Sequence, residues 1–257
     1  MNILKMLCRG DAAAAAEIVV DAADFDGTND YMARGAGLTG AADSKLFTFM
    51  QWFRMDGADG TVFTLLEGNS TTNLTFRINR SAANTFTILV KEFNSTTNAL
   101  FCATSGTYLQ SATWKCLMGS FDMADTAKRH LYVGDTSDLS VTTYTDIALD
   151  LTPDTDWHYG SDKDGTNQAN MALAEGAFWF GQYLDLSVES NRRKLYSAGG
   201  KPVTIGADGS SPTGTAAIMY FHLDNAEAVA NYATNRGSGG NFTITGTLDT
   251  ASTSPSD

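Results

Sequence analysis

Cysteine is scarce in this 257-residue chain: Cys8, Cys102 and Cys116 are the whole set. An odd number at unremarkable spacing favours reduced thiols over a disulfide framework. Cys102 and Cys116 fall in strand-like segments and read as small core hydrophobes, with a single disulfide between them left open. Histidine is as rare, and His130, His158 and His222 stand far apart, none of them in an H-x-E or H-E-x-x-H pattern. A zinc site therefore has no local support. Bases are also few, 17 Lys+Arg against 29 Asp+Glu, for a net charge of −12. Duplex DNA and anionic membranes attract the opposite sign, so neither is an expected partner. Long apolar runs are missing, which excludes a transmembrane helix. Residues 1–16 carry Lys5 and Arg9, but Asp11 and five alanines follow where a Leu/Val-rich segment would be needed, so no signal peptide is read.

What is plentiful points to a packed domain. With 43% hydrophobic and 11% aromatic residues, the chain has too much apolar material to remain disordered. Its dominant period is two. Leu74-Thr75-Phe76-Arg77-Ile78 alternates, Asn79 to Asn84 is turn-like, and Phe86, Ile88 and Val90 alternate again: a hairpin with one face on a core. Phe47 to Arg54 is apolar on both faces, as a central strand covered twice would be. Trp114–Phe121, His130–Val133, Phe178–Phe180 and Ile218–Leu223 read as further strands. Only Asp185 to Ser197 reads as a helix, short and on the surface near 186–197, with Glu189 early, Arg192, Arg193 and Lys194 late, and Gly199-Gly200 to stop it. The expected layout is an N-terminal arm (1–17), one sandwich domain (18–235), and a C-terminal extension with a flexible tail (236–257). Within that extension Gly237-Ser-Gly-Gly240 reads as a loose connection and 250–257 as a fraying end.

Catalytic patterns are missing. There is no G-x-S-x-G elbow, no phosphate-binding glycine loop, and none of the six Glu begins the E-x-D-x-E spacing that places two carboxyls about 5–5.5 Å apart for retaining glycoside hydrolysis. The expectation is a non-enzyme with no catalytic, cofactor or metal residues. Calcium is the one metal weighed, at Asp162-Lys163-Asp164-Gly165-Thr166-Asn167 and at Asp135–Asp138. The glycine is misplaced for an EF-hand and no twelfth-position Glu follows, so solvated turns are preferred at both.

In order along the chain, four segments resemble the laminin-G/concanavalin-A-like jelly-roll superfamily: Asp24-Phe25-Asp26-Gly27-Thr28-Asn29-Asp30-Tyr31-Met32, Phe47 to Arg54, Trp114 to Asp122, and Leu131-Tyr132-Val133-Gly134-Asp135. The resemblance implies an all-β, two-sheet antiparallel sandwich of roughly ten strands or more. Phe49, Trp52, Phe76, Ile88, Trp114 and Leu131 should be buried in it. Gly27 would permit a tight reversal, Phe25 and Tyr31 would close the edge between the sheets, and Trp52 and Trp114 would fill the layer between them. The acidic, Thr/Gly/Asn-rich composition and the stretch from Asp185 to Leu195 through Val203 are similar to such domains among tailed-bacteriophage virion proteins.

That likeness implies a head-decoration or tail accessory subunit made in the host cytoplasm and carried on the virion. Its partners would be other virion proteins, itself as a homo-oligomer, or a host surface glycan. The alternatives are a free carbohydrate-binding lectin-like module and a degenerate glycoside hydrolase. Candidate glycan-contact aromatics are Trp157, Tyr159 and Tyr183. Ile3, Leu4, Met6 and Leu7 make the N-terminal arm too apolar for a solvating tail and are the candidate assembly contacts.

Overall fold

The structure, a computed structural model, describes residues 15–69, 73–92, 95–152 and 156–257. β1 (Val20–Asp21), β2 (Ala23–Asp26) and β3 (Tyr31–Arg34) flank the Gly27 reversal. There φ is +75° and a Cβ would lie 2.6 Å from Asn170 Cβ, so only glycine fits. β4 (Leu46–Met55), β5 (Phe63–Asn69), β6 (Leu74–Arg80), β7 (Phe86–Lys91) and β8 (Asn98–Ala103) follow. Next come β9 (Lys115–Asp122), β10 (Arg129–Val133), β11 (Thr136–Ser137), β12 (Ser140–Tyr144), β13 (Asp156–Tyr159) and the long β14 (Asn170–Phe180). A helix, α1 (Glu189–Arg192), precedes β15 (Met219–Phe221), β16 (Leu223–Asp224), β17 (Thr243–Thr245) and β18 (Asp249–Thr250).

These strands build an antiparallel jelly-roll sandwich. The first sheet runs β11-β10-β9-β4-β14-β2-β18, with β15 also on β14. The second runs β12-β8-β7-β6-β5-β13-β3-β17, and β1 with β16 forms a separate ribbon. Between the sheets, Phe47 packs on Phe76 at 5.7 Å and Phe53 on Phe86 at 4.8 Å. Phe49, Phe76, Ile88 and Leu131 are buried there as expected. Each such side chain contributes about 1.5–3 kcal/mol.

The first sheet is covered on its other face as well. β4 alternates Phe47, Phe49, Phe53 and Met55 into the inter-sheet layer with Met50 and Trp52 into a second apolar layer. Leu184, Leu186, Leu195, Val203 and Ile205 roof that second layer, and Trp179 Nε1 donates to the Gly209 carbonyl at 2.8 Å. Trp52 is therefore buried, but beneath the 181–217 segment and stacked on Tyr196, not between the sheets. Trp114, also expected in the core, is only half-buried. Its Nε1 donates to Thr253 Oγ1 at 3.1 Å and Arg54 lies 5.7 Å over its ring. Cys102 and Cys116 are free and buried in different layers, which separates the two thiols.

The helical segment is shorter than its charge pattern suggests. Regular helix is confined to α1, and turn-type backbone bonds continue it to Tyr196, whose N–H donates to the Arg192 carbonyl at 2.9 Å. Asp185 does not cap it, accepting instead from Ser187 N at 2.9 Å, while Leu186 and Leu195 anchor the segment. With so thin an apolar stripe, packing of the ends decides its shape more than helix propagation does.

At the C-terminus the structure corrects the expected domain layout. β17 pairs with β3 at the edge of the second sheet and β18 with β2 at the edge of the first. Ser256 Oγ accepts from Val20 N at 2.9 Å, and Phe242 and Leu248 are buried. The 236–257 segment is thus part of the sandwich. Nor is the 237–240 run a loose connection: Gly239 N donates to the Ile218 carbonyl, and a Cβ there would stand 2.6 Å from that oxygen. Close backbone approach, not flexibility, calls for glycine. At the other end, Glu17 bridges to Val203, so the arm is already docked by that residue.

Candidate functional site

The second sheet, unlike the first, turns a polar face outward. β5, β6 and β13 send Phe76, Ile78, Trp157 and Tyr159 inward, so the alternate residues form rows across the outside. Register places His158 beside Glu67 and Glu67 beside Arg77, with Asp156 beside Asn69. The loop after β13 rises over one end of these rows. It encloses a cleft of about 240 Å³ lined by Glu67, Asn69, Leu74, Arg77, Lys91 and residues 162–164.

Two acceptors in this cleft are buried and unused. Glu67 is 4% exposed and Asn69 1%. Glu67 Oε1 accepts from Asn69 Nδ2 at 3.0 Å and from Lys163 N at 3.2 Å. Among the described residues Glu67 Oε2 and Asn69 Oδ1 have no hydrogen-bond partner, and neither has Arg77 Nε, although Arg77 Nη1 forms an ion pair with Oε2 at 3.5 Å. Burying polar atoms without partners costs about 1–3 kcal/mol each. Beside it Tyr31 stacks on His158 at 5.6 Å, and His158 Nε2 meets Asp156 Oδ1 at 2.9 Å. Tyr31 therefore lies on this outer face, while Phe25 alone fills the inter-sheet edge.

The wall of the cleft is the Asp-rich turn weighed for calcium. Asp162 Oδ1 accepts from Thr166 N at 2.7 Å and Asp164 N at 3.2 Å, and Oδ2 from Thr166 Oγ1 at 2.6 Å and Asn167 Nδ2 at 2.7 Å. Burial alone would raise this carboxyl, but those hydrogen bonds outweigh it and hold it below the ordinary carboxylate value. The turn is closed by its own donors. The other acidic pair is likewise committed: Asp135 holds Arg193 at 2.8 Å, and Asp138 accepts from Gly106 N and the Tyr108 hydroxyl.

The three aromatics singled out in the sequence do not converge. Trp157 is fully buried against Phe180 and beneath Gly68, where a Cβ would lie 2.6 Å from its ring. Tyr159 is fully buried too, its hydroxyl donating to Gln51 Oε1 and lying 3.1 Å from Tyr232 Oη. Neither can touch a ligand, because β13 places both on the inward side of its pleat. Tyr183 is half-buried beyond the end of β14 on the first sheet, sharing a 2.8 Å hydrogen bond with His130 Nε2. Ile3, Leu4, Met6 and Leu7 lie outside the described residues. Glu67, Asn69 and Arg77 escaped the sequence reading because outward polar residues in an alternating strand look solvated. The available hint was an acid set directly after Leu65-Leu66 in a strand-like run.

A second polar cluster ties β14 to the C-terminal strands. Glu175, fully buried, accepts from the Tyr220 hydroxyl at 2.9 Å and faces His222 Nδ1 at 3.5 Å. His222 Nε2 meets Asp224 at 3.1 Å, and Arg236 bridges Asp224 and Glu227.

No protein-family model matches the sequence, and a search of curated proteins finds no match. Solved structures do match its fold. A candidate carbohydrate binding protein from Bacteroides ovatus aligns with a TM-score of 0.61 at 15% identity, over 92% of this chain and 61% of its own length. A heptameric SAP-like pentraxin from Limulus polyphemus gives 0.49 at 11% identity over 70% and 84%. Domains LG4-5 of the mouse laminin alpha1 chain give 0.47 at 14% over 66% and 44%. This chain thus spans about three-fifths of the Bacteroides protein. The likeness to the Bacteroides protein is one of architecture, an antiparallel jelly-roll sandwich.

Proposed function

We propose that this chain is a non-catalytic adhesion module that holds a glycan in the cleft on the second sheet. The observation that carries the reading is the pair of buried, unpartnered acceptors, Glu67 Oε2 and Asn69 Oδ1, on adjacent outward positions of a rigid strand. Hydroxyl-rich ligands satisfy such atoms, and a sheet holds them in place better than a loop does. The carbohydrate-binding reading of the Bacteroides protein, which has the same fold, agrees with it. Catalysis is not part of the proposal, because Asp162 in the cleft wall is consumed by its own turn.

A glycan array followed by titration calorimetry tests this. Wild-type protein should bind one class of glycan, in EDTA as well as without it, and release no reducing sugar from it. Glu67→Gln should weaken binding about tenfold or more, the worth of one charge-assisted hydrogen bond, with an unchanged melting temperature. Absence of binding, or a variant that binds like wild type, refutes the site. Sustained turnover refutes the non-catalytic half. From the phage-like features of the sequence alone we also infer a virion setting, as a decoration or tail accessory subunit assembled through its N-terminal arm. Detection of the chain in purified particles tests that setting; its exclusion from them leaves a free lectin.

A further inference from the structure

We infer that the cleft recognises one neutral sugar unit, through two hydroxyls donated to Glu67 and Asn69, and discriminates against carboxylated or sulfated sugars. This rests on the glycan reading above and specifies its ligand.

The unused hydrogen-bonding capacity is lopsided. An ionised carboxylate accepts only, so Glu67 Oε2 requires a donor. Asn69 is oriented by its own bond: Nδ2 faces Glu67 Oε1 at 3.0 Å, which leaves Oδ1, again an acceptor, buried without a partner among the described residues. Against these two acceptors stands one orphan donor, Arg77 Nε. A sugar hydroxyl donates and accepts, and so answers all three. A carboxylate or sulfate group offers acceptors alone and would face Glu67 acceptor to acceptor.

Charge argues the same way. Glu67, Asp162 and Asp164 line the cleft with Arg77, Lys91 and Lys163, three of each sign. Arg77 already approaches Glu67, and Lys163 Nζ is 2.7 Å from Asp164, so the lining carries no net charge to attract an anion. A chain of net charge −12 repels a polyanion before contact. Size limits the occupant further: about 240 Å³ is below the usual range of small-molecule pockets, which suits a single ring of a longer glycan. Glu67 and Asn69 are two residues apart on one strand face, about 6.5–7 Å along it. Each contributes one orphaned oxygen, so two hydroxyls, one for each, complete the pairing.

The test is calorimetric titration with paired probes: methyl glucoside, galactoside, mannoside and N-acetylglucosaminide, the corresponding uronic acids, and heparin. One neutral glycoside should bind at least tenfold tighter than its uronic acid, with affinity unchanged as NaCl rises to about 0.5 M. Monodeoxy versions of that glycoside should identify two hydroxyls whose loss costs about tenfold each. One of those losses should vanish in Glu67→Gln and the other in Asn69→Ala, with circular dichroism melts confirming that both variants fold. Preference for a uronic acid or heparin, or affinity that falls with salt, overturns the inference while leaving a glycan site standing. Deoxy losses that persist in both variants overturn the assignment of Glu67 and Asn69. Binding of no probe and no arrayed glycan overturns the inference together with the reading beneath it.

Discussion

Among single residues, His222 is the one whose surroundings make a pH-dependent tie. It sits between a fully buried Glu175 and Asp224, within the chain that joins β15 to β16, and Arg236 clasps the same Asp224. Burial pushes the imidazole down, but the hydrogen bond and charge of Glu175, with the hydrogen bond of Asp224, outweigh burial and the opposing charge of Arg236. The net shift is upward from an ordinary value near 6.5. A base held more tightly protonated in the fold stabilises it fully below that ordinary value, and the contribution fades as pH rises through the raised one. The melting temperature should therefore fall as pH rises above about 6.5. His222→Gln should melt lower at pH 6.5 and show a flatter profile above it. His130 acts in a separate window, since burial lowers its imidazole and its effect lies below its ordinary value. A wild-type profile that stays level above pH 6.5 would show that Glu175 and Asp224 do not hold the charged form.

At the scale of elements, the C-terminal strands do more than their length suggests. β17 and β18 are three and two residues long, yet they complete the edges of both sheets, and the connections beside them bury Phe242 and Leu248. Two buried side chains at about 1.5–3 kcal/mol each, at 2–4 °C per kcal/mol for a domain of this size, set the scale of their removal. A chain ending at Arg236 should melt lower by about 10 °C or more, or fail to fold. A truncated protein that melts with the full chain would mean that these strands only lie on a self-sufficient sandwich. The 181–217 segment has the same standing: its apolar residues roof the outer layer of the first sheet.

For the molecule as a whole, net charge and the arm set the terms of association. An acidic body of charge −12 keeps copies apart in solution unless a specific contact overcomes the repulsion. The apolar run at Ile3, Leu4, Met6 and Leu7 is the sequence's candidate for that contact, followed by a chain already paired to the domain at Glu17 and Val20. Deleting residues 2–12 should leave the melting temperature within about 2 °C of full length and reduce the assembled species seen by light scattering to a monomer. Unchanged assembly after deletion would move the contact elsewhere.

Alternation along the chain was enough to determine the class of this fold. Strands such as β4, β6 and β7 read directly, because a half-buried strand writes its burial every second residue, and a strand covered on both faces writes an unbroken apolar run. Which face each side chain serves was decided only by packing. Trp157 and Tyr159 look like binding aromatics in a string of letters, yet the register of β13 turns both inward, while Trp114 is left half-exposed at the start of β9. Glu67 reads as a solvated acid until the loop at 161–167 folds over it. Local sequence carries period and turn chemistry. Burial of a polar group, the orphaned acceptors beside it, and the closing of both sheets by residues more than two hundred positions away are properties of long-range contact. Only the assembled structure contains them.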